Sequence, residues 1–204
     1  MIKPPGSCDH TRLLLNTLPC NTSLFRITSP DYPSPLFFNK SQDGRYNAPD
    51  ESYGVCYMAE TVEGAFAESI GHSVASKYNP GAVKIIEESA LASVNVYHIN
   101  IKQDLLIGDL TGTGLPNLNL DNQINALPPP YAIPQQWSQW VYEHPSQPDA
   151  LRFHSRHLPT SLNLALYDRA KNIVECHDDG PLITWSDGQK DIWDILLEQG
   201  WTIY

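Results

Sequence analysis

The apolar pattern of this chain changes period from segment to segment without a regular order. Residues 93–101, "SVNVYHINI", alternate as a half-buried strand does. "SLFRITS" (23–29), "GVCYMA" (54–59), "ALRFHS" (150–155) and "SLNLALYDRA" (161–170) are further short strand-like runs. Among them, Val62, Phe66 and Ile70 recur at i, i+4 and i+8 behind Thr61, which predicts a capped helix to about Ser73. Trp137, Trp140 and Val141 give one apolar face to a second helix opened by Pro134. A doubly wound sheet needs strand and helix to alternate, and here they do not, so the expectation is α+β. "DLLIGDL" (104–110) is read as a partner of 93–101. Ser186 and Gln189 have capping-box spacing before a last helix with Trp193, Leu196 and Leu197 that stops at Gly200. Residues 1–23 read as a loose arm or short helix, which leaves one domain over 24–204. Residues 111–133 read as a long Asn- and Pro-rich loop, a kind more often functional or mobile than inert.

Composition narrows the function classes. A chain of 204 residues buries a real core, and 41% hydrophobic with 18% charged residues is globular. A formal charge of -10 gives no general attraction for nucleic acid or an anionic membrane. A phosphate-bearing ligand must then be held by a local group of arginines against the mean field. No apolar run approaches the ~18–20 residues that span a bilayer, and the patch at Leu13–Leu15 is too short for a signal core. A cytoplasmic protein is expected. Cys8, Cys20, Cys56 and Cys176 are far apart with no CxxC pair, which predicts free buried thiols. Five tryptophans and the Pro-rich segments offer anchors for a homodimer without fixing a symmetry.

Three motif fragments carry little. "GHSVA" (71–75) resembles a nucleophile elbow, but a helical pattern precedes it where that elbow needs a strand. "GTGLPN" (112–117) lacks the third glycine of a dinucleotide fingerprint, and Pro116 interrupts the helix that should follow. His154 and His157, and His177 before two aspartates, lack a partner set with zinc spacing, so no metal is expected.

Four segments in order carry more. "LFRI" holds Arg26, "DGRYN" holds Arg45, "GVCYMAETVEGAFAE" holds Tyr57 and Glu68, and "QPDALRFHSRHLPTSLNLALYDR" holds Ser155. Together, over roughly residues 24–180, the chain resembles the RES-domain toxin family, named for an arginine, a glutamate and a serine. The family more often has tryptophan where this chain has Tyr46, so an aromatic is retained. The resemblance implies an ADP-ribosyltransferase-like β core of two packed, mostly antiparallel sheets flanked by helices. It implies NAD as substrate, with no further cofactor, and a neighbouring Xre-type helix-turn-helix antitoxin as partner.

The residue types suit that chemistry. Guanidinium forks such as Arg26 and Arg45 meet pyrophosphate oxygens with parallel bonds. Tyr57 offers an aromatic face for nicotinamide or its ribose. Glu68 supplies a carboxylate where positive charge develops on the ribose, and Ser155 is expected to orient a ribose hydroxyl or phosphate oxygen. Read without the family, each has a plainer explanation: a solvated helix acid, a surface arginine, a core tyrosine, a strand-end serine. Glu68 lies about 160° from the Val62–Phe66–Ile70 stripe, which leaves it free of the core. The expected activity is NAD degradation by water or phosphate. ADP-ribosylation of a protein ranks second, and a non-catalytic NAD- or partner-binding module third.

Overall fold

The computed structural model describes residues 2–75, 77 and 79–204. Eight strands form one sheet: β1 (Leu15–Leu18), β2 (Ser23–Thr28), β3 (Val55–Ala59), β5 (Asn95–Ile101), β6 (Leu105–Leu110), β7 (Ala150–His154), β8 (Leu162–Tyr167) and β9 (Val174–Pro181). Their order is β1-β6-β7-β8-β3-β2-β5-β9, and only β6 and β7 run parallel. A separate parallel pair joins β4 (Lys84–Ile86) to β10 (Trp201–Ile203). The helical segments are α1 (Val62–Phe66), α2 (His72–Ala75), α3 (Glu88–Ala92), α4 (Gly114–Asn117), α5 (Gln123–Ala126), α6 (Ala132–Tyr142) and α7 (Ile192–Glu198). A π-helical turn, Ala67–Gly71, links α1 to α2.

The large sheet has a seam. β2 shares six residue pairs with β5, and β3 shares five with β8. β2 and β3 share one, Phe25 with Ala59. The two packed sheets that the family resemblance implied are two wings of one hydrogen-bonded ladder, β9-β5-β2 and β3-β8-β7-β6-β1. Alternate residues of β3, β7 and β8 feed different cores, as period 2 requires. Val55, Leu151, Ala165 and Tyr167 pack with Trp137, Trp140 and Val141 of α6. Cys56, Met58, Ala150, Leu164 and Leu166 pack with Leu24, Ile99 and Ile107. A third cluster joins Val62 and Phe66 to Leu91, Ile195, Leu196 and Trp201.

Several expectations change. Residues 1–23 are not a loose arm: His10–Arg12 form a 3-10 turn, and β1 zips onto β6. The indoles of Trp137 and Trp140 also donate to the carbonyls of Lys3 and Cys8. β6 therefore pairs with β1 and β7, and β5 takes β2 and the unanticipated β9, whose "VECHDDGP" is too polar to read as a strand. The capping box of the last helix belongs to Asp191 and Asp194, while the Ser186 hydroxyl donates to the Lys190 carbonyl. Segment 111–133 is folded rather than loose, burying Leu115, Leu118, Leu120 and Ile124 through α4 and α5. Of the four thiols only Cys56 is buried, and Cys20 is exposed. The Thr61 cap stands, its Oγ1 accepting from the Gly64 amide at 3.2 Å. Ser73 sits within α2, so no nucleophile elbow forms there. Among the described residues no helix is long and apolar enough to cross a membrane.

Candidate active site

Where β2 and β3 part, a cleft of about 380 Å³ opens. Arg26, Arg45, Tyr57 and Glu68 all line it. Arg26 bridges the seam itself. Its Nη1 donates to the Tyr57 carbonyl at 2.9 Å, taking the place of a missing ladder bond, and lies 3.2 Å from Cys56 Sγ. Its Nε is buried with no partner among the described residues, a donor whose desolvation is offset only by an acceptor.

Arg45 is set by the chain around it. At Gly44 an added Cβ would lie 2.2 Å from Asn47 Oδ1, so only glycine lets the buried Asn47 fold back beneath the loop. Asn47 Oδ1 accepts from the Tyr57 hydroxyl at 2.9 Å, and that hydroxyl accepts the Tyr46 amide at 2.7 Å. Burial pushes the Tyr57 phenol far above its usual range, so it stays a protonated structural tie. The Arg45 Nη1 donates to the Leu127 carbonyl at 2.6 Å, and its Cζ lies 4.6 Å from the Tyr131 ring centroid. Segment 111–133 thus holds the arginine between a carbonyl and an aromatic face. Tyr46, at the position where tryptophan was the family expectation, is fully buried and donates to Asn125.

Glu68 stands on the π turn. Ser69 Oγ donates to the Ala65 carbonyl at 2.7 Å and competes with the helical ladder there. At Gly71 a Cβ would lie 2.9 Å from the Phe66 carbonyl oxygen, so glycine lets the widened turn close. Such turns recur at functional sites. Glu68 is exposed while Val62 and Phe66 are buried, as the wheel reading required. Its Oε1 accepts from Ser155 Oγ at 2.5 Å and from the Arg156 amide at 3.2 Å.

Ser155 takes a different place from the one expected. It is fully buried, does not line the cleft, and stands behind Glu68. Its Oγ also accepts the amides of His157 and Leu158, at 3.1 and 2.9 Å. With its one proton given to Glu68 and two amides received, the hydroxyl has nothing left for a ligand. It supports the Glu68 carboxylate from behind the cleft wall.

Arg156, His72 and Tyr131, unmarked in the sequence, also line the cleft, as does His157, which the sequence offered only as a rejected zinc partner of His154. A signal was available: His72 lies four residues after Glu68, one helical turn on. The charged lining is Arg26, Arg45 and Arg156 against Asp43 and Glu68, three minus two, or +1 with neutral imidazoles. That is locally positive in a chain of -10. No group of three or more His, Cys, Asp or Glu among the described residues is placed to hold a metal ion.

The model of the RES domain matches residues 23–186, most of the chain. The protein belongs to the RES domain family. "Probable toxin y4kH" of Sinorhizobium fredii is 30% identical over 104 residues, covering 51% of this chain and 80% of that one. The structure of the M. tuberculosis MbcT–MbcA toxin–antitoxin complex superposes with a TM-score of 0.58 at 14% identity, over 84% of this chain and 89% of that one. That likeness shows that this RES domain shares the α+β fold of that structure.

Proposed function

We propose that this RES domain is the toxin of a toxin–antitoxin pair and cleaves the nicotinamide–ribose bond of NAD. The observation that carries the reading is the convergence of Arg26, Arg45, Tyr57 and Glu68 on one cleft, with a buried hydroxyl fixing the carboxylate. Arg26 and Arg45 bind the pyrophosphate as bidentate cations. The Tyr57 ring supplies a wall, packed edge-on against Phe153 with centroids 6.3 Å apart. The bond from C1′ to the nicotinamide nitrogen breaks and its electron pair leaves with the ring. Positive charge then grows on the ribose, and Glu68, held in place beforehand, stabilises it without reorganising. An acceptor oxygen closes onto C1′. A relative described as a probable toxin and the fold shared with a toxin–antitoxin complex support an antitoxin as partner; the Xre helix-turn-helix type and a cytoplasmic setting follow from the family resemblance in the sequence.

The test is release of free nicotinamide from NAD by the purified protein. The wild type is expected to turn NAD over, and Glu68→Ala to lower kcat by about 10²-fold or more. No NAD loss with the wild type, or equal loss with Glu68→Ala, overturns the reading. Exposure of Glu68 at the cleft mouth favours one second reading, transfer of ADP-ribose to a protein side chain. A labelled adduct on a cell protein would select it.

A further inference from the structure

We propose that His157 is the general base of this cleft and takes the proton released by the acceptor; the inference rests on the NAD-cleaving reading. Nicotinamide leaves as a neutral amide, carrying away the electron pair of the broken C1′–N bond, so its departure needs no acid. The acceptor is different. When water forms its O–C1′ bond, one of its protons must pass to a base, and the product is ADP-ribose with a free anomeric hydroxyl. The reaction contains one proton transfer, and it belongs to the acceptor.

The carboxylate and imidazole side chains lining the cleft are Asp43, Glu68, His72 and His157. Asp43 sits in the arginine loop and accepts from Ser41 at 3.2 Å. Glu68 already accepts from Ser155 and Arg156, and protonation would cancel its charge while the ribosyl cation still needs it. The ring nitrogens of His157 have no hydrogen-bond partner among the described residues. Its backbone amide is pinned by Ser155 Oγ at 3.1 Å, the hydroxyl that also donates to Glu68. One buried serine therefore sets both the carboxylate and the imidazole.

The surroundings keep His157 in its basic form. Partial burial lowers its pKa below the usual histidine value. Glu68 pulls the other way, while His72 on the helical run, Arg156 beside it and Arg45 across the cleft each push it lower. The His72 ring lies 4.3 Å from the His157 ring, too close for both to carry charge without cost. A base must be neutral before it works, and general-base catalysis contributes about 10²–10⁴-fold.

The experiment is the pH–rate profile of NAD hydrolysis by the full chain. His157→Gln should lower kcat at least about 10²-fold, leave KM for NAD within about threefold, and abolish the acid limb of the profile. In His72→Gln the acid limb should move to higher pH, because removing a neighbour that lowers the His157 pKa lets it rise. Imidazole added to His157→Ala should restore at least tenfold of the lost rate. Wild-type turnover with kcat of His157→Gln within threefold, an acid limb that survives, or no response to imidazole overturns the role of His157. An inactive wild type overturns instead the NAD-cleaving reading.

Discussion

Ser155 shows how one side chain serves two neighbours without lining the cleft. Its hydroxyl donates to Glu68 Oε1 and accepts two amides of the turn that carries Arg156 and His157. Ser155→Ala removes all three bonds at a fully buried position. Leaving two amides without their acceptor should cost about 1–3 kcal/mol of stability, measurable by urea unfolding. The larger effect is kinetic. A carboxylate displaced by about 1 Å loses on the order of 10² in rate, so kcat should fall with KM for NAD little changed. A ligand-binding serine would raise KM instead, and that split of kcat from KM decides between the two roles.

The elements carry the site through what they lack. β2 and β3 make a single ladder pair, and the guanidinium of Arg26 occupies the gap. The loop between them depends on Gly44, where a methyl group would displace Asn47 and with it the hydroxyl tie to Tyr57. Gly44→Ala is therefore expected to cost about 1–3 kcal/mol by overpacking. It should also raise KM for NAD by moving Arg45, read by thermal melting and steady-state kinetics. Gly44 was legible in the sequence only as a turn residue, because its reason is a side chain three positions away in the folded loop. Thr61, by contrast, was legible because a cap is local: the side chain and the amide it accepts are three residues apart. The capping box was misplaced to Ser186 since its spacing occurs by chance among polar residues, and the real one, Asp191 with Asp194, depends on where the chain turns. Segment 111–133 hid its structure because its apolar residues follow no period; they are buried one at a time against α6 and β7. The four cleft residues were found through their order along the chain. Arg156 escaped, and His157 was weighed only as a metal ligand, because a surface-like "SRH" discloses its partners only when Ser155 is buried.

At the scale of the whole molecule, the binding cleft opposes the chain's charge and the N-terminal segment supports its frame. Three arginines gather at the seam in a protein of formal charge -10, so the anion capture proposed for the cleft would be local and not assisted by the general field. The cleft opens between the two wings of the sheet, and β1 is the edge strand of one of them. β1 makes four residue pairs with β6 and leaves Leu13 and Leu18 buried, at 6% and 9% exposure. A loose arm would contribute nothing to stability. Two buried leucines contribute about 3–6 kcal/mol, a large share of the ~5–15 kcal/mol that a domain has in total. Removal also strips Trp137 and Trp140 of the carbonyls their indoles use. Deleting residues 2–18 is therefore expected to lower the melting temperature by at least about 6 °C, at roughly 2–4 °C per kcal/mol for a chain of this size. Differential scanning calorimetry checks it: a fall of less than about 2 °C would return these residues to the status of an arm, whereas the larger fall makes the edge strand part of what holds the cleft open.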